Sequence, residues 1–161
     1  MVVKGIIFED FINYKKPCMT LETCYCSFKC DKEFGIKICQ NGELIHQKNI
    51  EIENDRIVSM YLNNPITEAL CFQGLEPFDS YLDVYKIIEL LRIKYDNHDP
   101  IVIYSGYTKK ELEDMHYLTS LKKFDKIIIK YGRYIPNQEK HYDKTLGVYL
   151  ASSNQYAEEL K

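Results

Sequence analysis

The chain has 161 residues, enough for one domain with one sizeable core. Its hydrophobic fraction of 45% and charged fraction of 28% are those of a globular protein and not of a disordered one. With 21 basic and 24 acidic residues the formal net charge is −3 and no basic stripe stands out, which argues against a nucleic-acid partner. No run approaches the roughly 20 apolar residues that span a bilayer, and Met1–Asp10 is not built like a signal peptide. The expectation is a cytoplasmic protein with no membrane partner.

Residues 2–12 are apolar enough for a first, peripheral strand, and 17–24 (PCMTLETC) open on Pro and run into β-formers, so a second strand is expected. Residues 25–42, with cysteines, charges and two glycines, read as a loop. Residues 43–49 fit no single pattern, and a helix fits 54–63. A buried strand is expected over 67–73, broken by GLEP at 74–77. Residues 79–95 place Leu82, Tyr85, Ile88, Leu91 and Tyr95 at helical spacing, with Asp79 or Ser80 as N-cap. A strand at 101–105 closes at Gly106, and Thr108 caps a helix with Glu111 at the capping-box position. Another strand is expected at 125–131. A polar loop follows over 132–145, then a short strand near 146–150 and a short C-terminal segment.

Strands alternating with helices predict an α/β fold, one domain over 1–161, with a mainly parallel sheet and flanking helices. Ligands in such folds sit beyond the C-terminal ends of the strands. The cysteine loop, GLEP and Ser105-Gly106-Tyr107 each follow directly on an expected strand. Parallel strands would gather all three on one rim.

Five of the six cysteines fall between residues 18 and 39. With no secretion signal that clustering points to metal and away from disulfides. One ligand set is Cys26, Cys30 and Cys39, spaced C-x3-C-x8-C; the other adds Cys24 or Cys18 as a fourth. Four thiolates saturate a cubane cluster and suit it to structure or electron transfer; three leave one iron open for substrate. The geometry of a strand favours three, because Cys24 lies deeper in it and Cys18 could reach only if the strand curled back. A zinc site with His46 as fourth ligand is the bland alternative. Cys18, Cys24 and Cys71 read by default as free thiols.

At these residues the chain resembles a known family. CSFKC followed by CQN resembles the radical S-adenosylmethionine motif, with residues inserted before the third cysteine. CFQGLEP (71–77) resembles the strand and G-G-E-P turn of those enzymes. IVIYSGYT (101–108), GRYIP (132–136) and SSNQ (152–155) are similar to segments of the activating enzymes of anaerobic, class III, ribonucleotide reductase. The resemblance covers nearly the whole chain in order. Two departures stand out: the insertion Asp31–Ile38, which must loop out with Gly35 helping it turn, and Leu75 in place of the second glycine.

The resemblance implies a shortened partial (β/α) barrel of the radical-SAM type, with the cluster loop at 24–42. Cys26, Cys30 and Cys39 would bind a [4Fe–4S] cluster, and S-adenosylmethionine would chelate its open iron. Reductive cleavage would give a 5′-deoxyadenosyl radical that takes a hydrogen from a glycine of the partner, the large subunit of anaerobic ribonucleotide reductase. An electron donor such as flavodoxin or ferredoxin is implied as well. Glu76 and the Gly74–Leu75 backbone would accept hydrogen bonds from the substrate ammonium. Ser105 and the Gly106 backbone would face its ribose or carboxylate, Ile38 its adenine, with Asn41 and Asn154 as further polar contacts. Each has a plainer alternative: Glu76 as a carboxylate ahead of a helix, Gly74 and Gly106 as turn glycines, Asn154 as a cap. The four histidines show no pairing. Tyr131, Tyr134 and Tyr142 are a candidate for a protein-facing patch.

Overall fold

A computed structural model describes residues 1–161. Apolar and β-branched runs form β1 (Val2–Asp10), β2 (Cys18–Thr23), β3 (Ile50–Glu51), β4 (Ala69–Gly74), β5 (Ile101–Tyr104) and β6 (Ile127–Tyr131). β7 (His141–Asp143) and β8 (Val148–Leu150) make a separate antiparallel hairpin, and β9 is Tyr156–Glu159. The main sheet has seven strands in the order β3-β1-β2-β4-β5-β6-β9. Its four central strands, β2, β4, β5 and β6, are parallel. β1 and β9 run antiparallel to them and β3 pairs antiparallel with β1, so the sheet is mixed at its edges and stays open, without barrel closure.

The helices are α1 (Lys29–Phe34), α2 (Asn54–Leu62), α3 (Tyr81–Glu89), α4 (Lys109–Asp114) and α5 (Tyr117–Leu121). β2, β4, β5 and β6 are laid down in chain order, and right-handed crossovers stepping one way put α2 to α5 on one face. Period-2 alternation then sorts the strand residues. Leu21, Phe72, Ile103 and Ile129 turn to the helices and join Ile57, Ile87 and Leu112 in the main core. Cys18, Cys71, Val102 and Ile128 turn to the other face. There Tyr14, Leu146 and Leu150, from the 11–17 loop and the β7–β8 hairpin, cover only part of the sheet.

Several boundaries differ from the sequence reading. The loop expected over 25–42 contains α1, and a 3₁₀ turn runs from Gly42 to His46. The helix after Thr108 has its full capping box, yet it breaks at His116, whose φ of 60° is left-handed, and resumes as α5. β7 lies inside the expected polar loop, and the C-terminal segment is the edge strand β9. Asp79 and Ser80 do not cap α3 through their side chains; Glu76 caps the 3₁₀ turn Pro77–Ser80 that leads into it. No helix is long and apolar enough to cross a membrane.

Candidate functional site

The half-covered face of the sheet leaves a cavity of about 340 Å³ at the C-terminal ends of the parallel strands. That lies within the roughly 300–1,000 Å³ of small-molecule pockets. The three segments expected on one rim do meet here: Cys26, Cys30 and Cys39 from the cysteine loop, Gly74–Glu76 after β4, and Ser105–Tyr107 after β5.

All six cysteines are free. Cys18 and Cys71 are fully buried in the apolar cluster between sheet and hairpin. Cys24 is 2% exposed and does not line the cavity. Burial pushes the Cys26 thiol up to about 11, and burial beside Cys39 raises that of Cys30, so a metal would have to displace their protons. The backbone N–H of Phe28 donates to Cys26 Sγ at 3.2 Å. The insertion closes on itself: Asp31 Oδ1 accepts from Ile38 N at 2.8 Å and from Cys39 N at 2.9 Å. One carboxylate thereby ties both ends of the excursion and returns Cys39 to the side of Cys30.

Three thiols lining one cavity are a donor set that fits an iron–sulfur cluster with one iron left open. His46 lies in an exposed 3₁₀ turn.

The GLEP turn is held from both sides. Gly74 has φ +92°, and a Cβ there would sit 3.0 Å from Cα and Cβ of Glu22, so a side chain is barred by both dihedral and space. Leu75 is not among the left-handed residues, which is why a side chain replaces glycine there without strain. Asn41 Nδ2 donates to the Gly74 carbonyl at 2.8 Å, joining the cysteine loop to the turn.

Glu76 is buried at the back of the cavity. Ser105 Oγ and Gly106 N donate to it at 2.8 Å each, and Phe78 N at 3.1 Å. Burial outweighs these bonds and pushes its carboxyl up to about 7. Lys130, next to Tyr104 across the β5–β6 pairing, donates to Gly132 O at 2.7 Å and Ser105 O at 3.3 Å. Burial brings its ammonium down to about 8, against the opposing charge of Glu76. The cavity wall thus carries a buried carboxyl and a buried amine, each held in place by groups at the ends of β5 and β6.

A second set of contacts holds the cysteine loop to the body. Asp79 accepts from Ser27 N at 2.6 Å and from Tyr107 OH at 2.7 Å. Arg133 grips Glu111 with two nitrogens at 2.6 and 2.9 Å, and its Nε lies 3.3 Å from Glu33 of α1. Lys29 pairs with the same Glu111 and lies over the Tyr107 ring. Arg133 holds the Glu111 carboxyl down at about 2.

Of the expected site residues, Cys26, Cys30, Cys39, Asn41, Gly74, Leu75, Glu76, Ser105 and Gly106 line the cavity; Ile38 and Asn154 do not. Asn154 is exposed and donates to Arg133 O. The plainer role expected of Glu76 also holds, since it caps a turn, and the Ser105 hydroxyl and Gly106 N–H are spent on Glu76 itself. Sequence reasoning missed Asp31, Asp79, Lys130 and Arg133. Only Lys130 had a signal: a charge inside the apolar run IIIKY.

The fold and site define an α/β protein whose open sheet face carries a thiol-lined cavity at its C-terminal rim. A family model described as a 4Fe-4S single cluster domain matches residues 18–157, and the chain belongs to that family. No curated protein and no solved structure matches it.

Proposed function

We propose that this iron–sulfur protein is a radical S-adenosylmethionine enzyme that generates the glycyl radical of an anaerobic ribonucleotide reductase. One observation carries the reading: three of six cysteines line the cavity that the GLEP turn and Ser105–Tyr107 also line, while Cys24, the neighbouring cysteine in the chain, does not. Three thiols leave a [4Fe–4S] cluster one open iron.

Cys26, Cys30 and Cys39 would hold the cluster, which when bound supplies the electron that breaks the sulfonium C–S bond to give a 5′-deoxyadenosyl radical. The chain's own residues bind and orient. Glu76, kept in place by Ser105, Gly106 and Phe78, presents a carboxylate to the substrate ammonium. Asn41 fixes the Gly74 carbonyl against the cysteine loop. The β7–β8 hairpin walls the far side with Tyr149 and Leu150 and limits solvent. The cavity opens on a rim that the hairpin covers only in part, which suits a large protein docking across it.

The test is anaerobic. The protein is reconstituted with iron and sulfide, given dithionite and S-adenosylmethionine, and assayed for 5′-deoxyadenosine. The expected result is product from the parent and none from Cys30→Ala. A cluster that forms but never cleaves, even with the reductase present, would make the protein an electron carrier or a cluster-stabilised interaction module.

A further inference from the structure

Lys130 interrupts the apolar run of β6 with a charge, and the alternation of the strand decides where that charge goes. Ile127, Ile129 and Tyr131 pack into the main core, so Ile128 and Lys130 turn to the half-covered face. Lys130 is only 7% exposed and stands at the cavity end of that face. Val or Ile would suit a central strand better, since a buried amine is stable only where acceptors meet it. Here Nζ donates to Gly132 O at 2.7 Å and to Ser105 O at 3.3 Å, while the main-chain oxygen of Lys130 accepts from Ser105 N at 2.8 Å. One residue of β6 therefore holds Ser105 by both its N–H and its carbonyl, and ties the loop after β5 to the loop after β6. Gly132 N completes the frame by donating to Tyr107 O at 2.9 Å. Ser105 and Gly106 in turn supply two of the donors that hold the Glu76 carboxyl, the third being Phe78 N.

We infer that Lys130 is a positioning residue: its side chain, by tying Ser105 to Gly132, places the two donors that aim Glu76, and through Glu76 it sets the affinity for the ligand's ammonium. The inference rests on the functional reading above, in which that ligand is S-adenosylmethionine. The amine makes neither a hydrogen bond nor an ion pair with Glu76, so the path runs through the loop after β5. Two of its three donors are taken by carbonyls. A rival use of the third, direct contact with the ligand's carboxylate, makes a different prediction. A residue that works through Glu76 has nothing left to contribute once the Glu76 carboxylate is gone; a residue that touches the ligand by itself keeps its full effect.

The test is a double-mutant cycle on the reconstituted full chain, with S-adenosylmethionine binding read by calorimetry in the absence of reductant. Lys130→Met is expected to weaken binding about tenfold with iron and sulfide content unchanged. Glu76→Gln should weaken it by about tenfold or more. Adding Lys130→Met to Glu76→Gln should cost less than about a further twofold. If Lys130→Met does not fold, Lys130→Gln is read the same way. Multiplying effects would overturn the proposal in favour of direct contact with the ligand. Unchanged affinity in Lys130→Met would also overturn it, and so would loss of iron, which would assign the amine to the cysteine loop. If the parent binds no S-adenosylmethionine, the functional reading falls and amide exchange in the metal-free chain decides the positioning role alone. Lys130→Met should then speed exchange at Gly106 N–H about tenfold while Ile103 in β5 stays within about twofold. Equal exchange at Gly106 in parent and variant would leave Lys130 with no hold on the donors of Glu76.

Discussion

The two groups of cysteines on the open side of the sheet differ in what surrounds them. Cys18 and Cys71 begin and cross the N-terminal half of parallel strands and are sealed by Tyr14, Leu146 and Leu150. Cys26, Cys30 and Cys39 lie past the strand ends, partly exposed, with a backbone N–H on one sulfur and a carboxylate holding the loop that carries another. The first group behaves as small apolar side chains; the second is presented to a cavity. Residue type is shared, and position along the strand decides the use.

The largest expected effect breaks that comparison outright: Cys30→Ala should lose all bound iron after reconstitution, by iron and sulfide analysis, and Cys71→Ala none. Next comes Glu76. Its carboxyl is raised in the folded state from 4.5 to about 7 by burial, so the folded protein holds its proton more tightly than the unfolded chain. Stability from this group is complete below about 4.5 and falls as pH rises to about 7, by up to about 3 kcal/mol. Glu76→Gln in the metal-free protein should flatten that part of the profile in urea titrations. If the slope survives, another buried group is responsible.

Asp31→Ala should weaken iron retention by about tenfold to a hundredfold in chelator competition, the usual cost of losing a group that orients a ligand. Asp31→Asn, which keeps an acceptor oxygen, should recover most of it. The smallest effect falls on the sealed thiols: Cys71→Ala should cost about 1 kcal/mol and lower Tm by about 2–4 °C with iron content unchanged. Lost iron there would mean the two groups are not independent.

Periodic and punctuated segments were legible in the sequence. The strand cores at Ala69–Gly74, Ile101–Tyr104 and Ile127–Tyr131, the helix around Tyr81–Glu89 and the Thr108–Glu111 capping box all carry strong local signals. So did the meeting of three loops on one rim, because parallel topology dictates it. Short elements were not legible: α1 has six residues and starts from Phe28 in a left-handed conformation, with no capping bond to announce it. β7 is a three-residue hairpin strand too short to show alternation, and β9 exists only through its pairing with the distant β6. Asp31 and Asp79 act through backbone N–H groups brought near by the fold, and nothing in their neighbours' identity foretells that.

The Asp31 clasp also bears on how such chains are recognised. Counted along the backbone, Cys30 and Cys39 are too far apart for a compact three-cysteine signature. Counted through the clasp, Asp31 is one step from Cys30 and one hydrogen bond from Cys39, and the loop between is a detour. Residues 32–37 can then lengthen, shorten or drift without moving either sulfur.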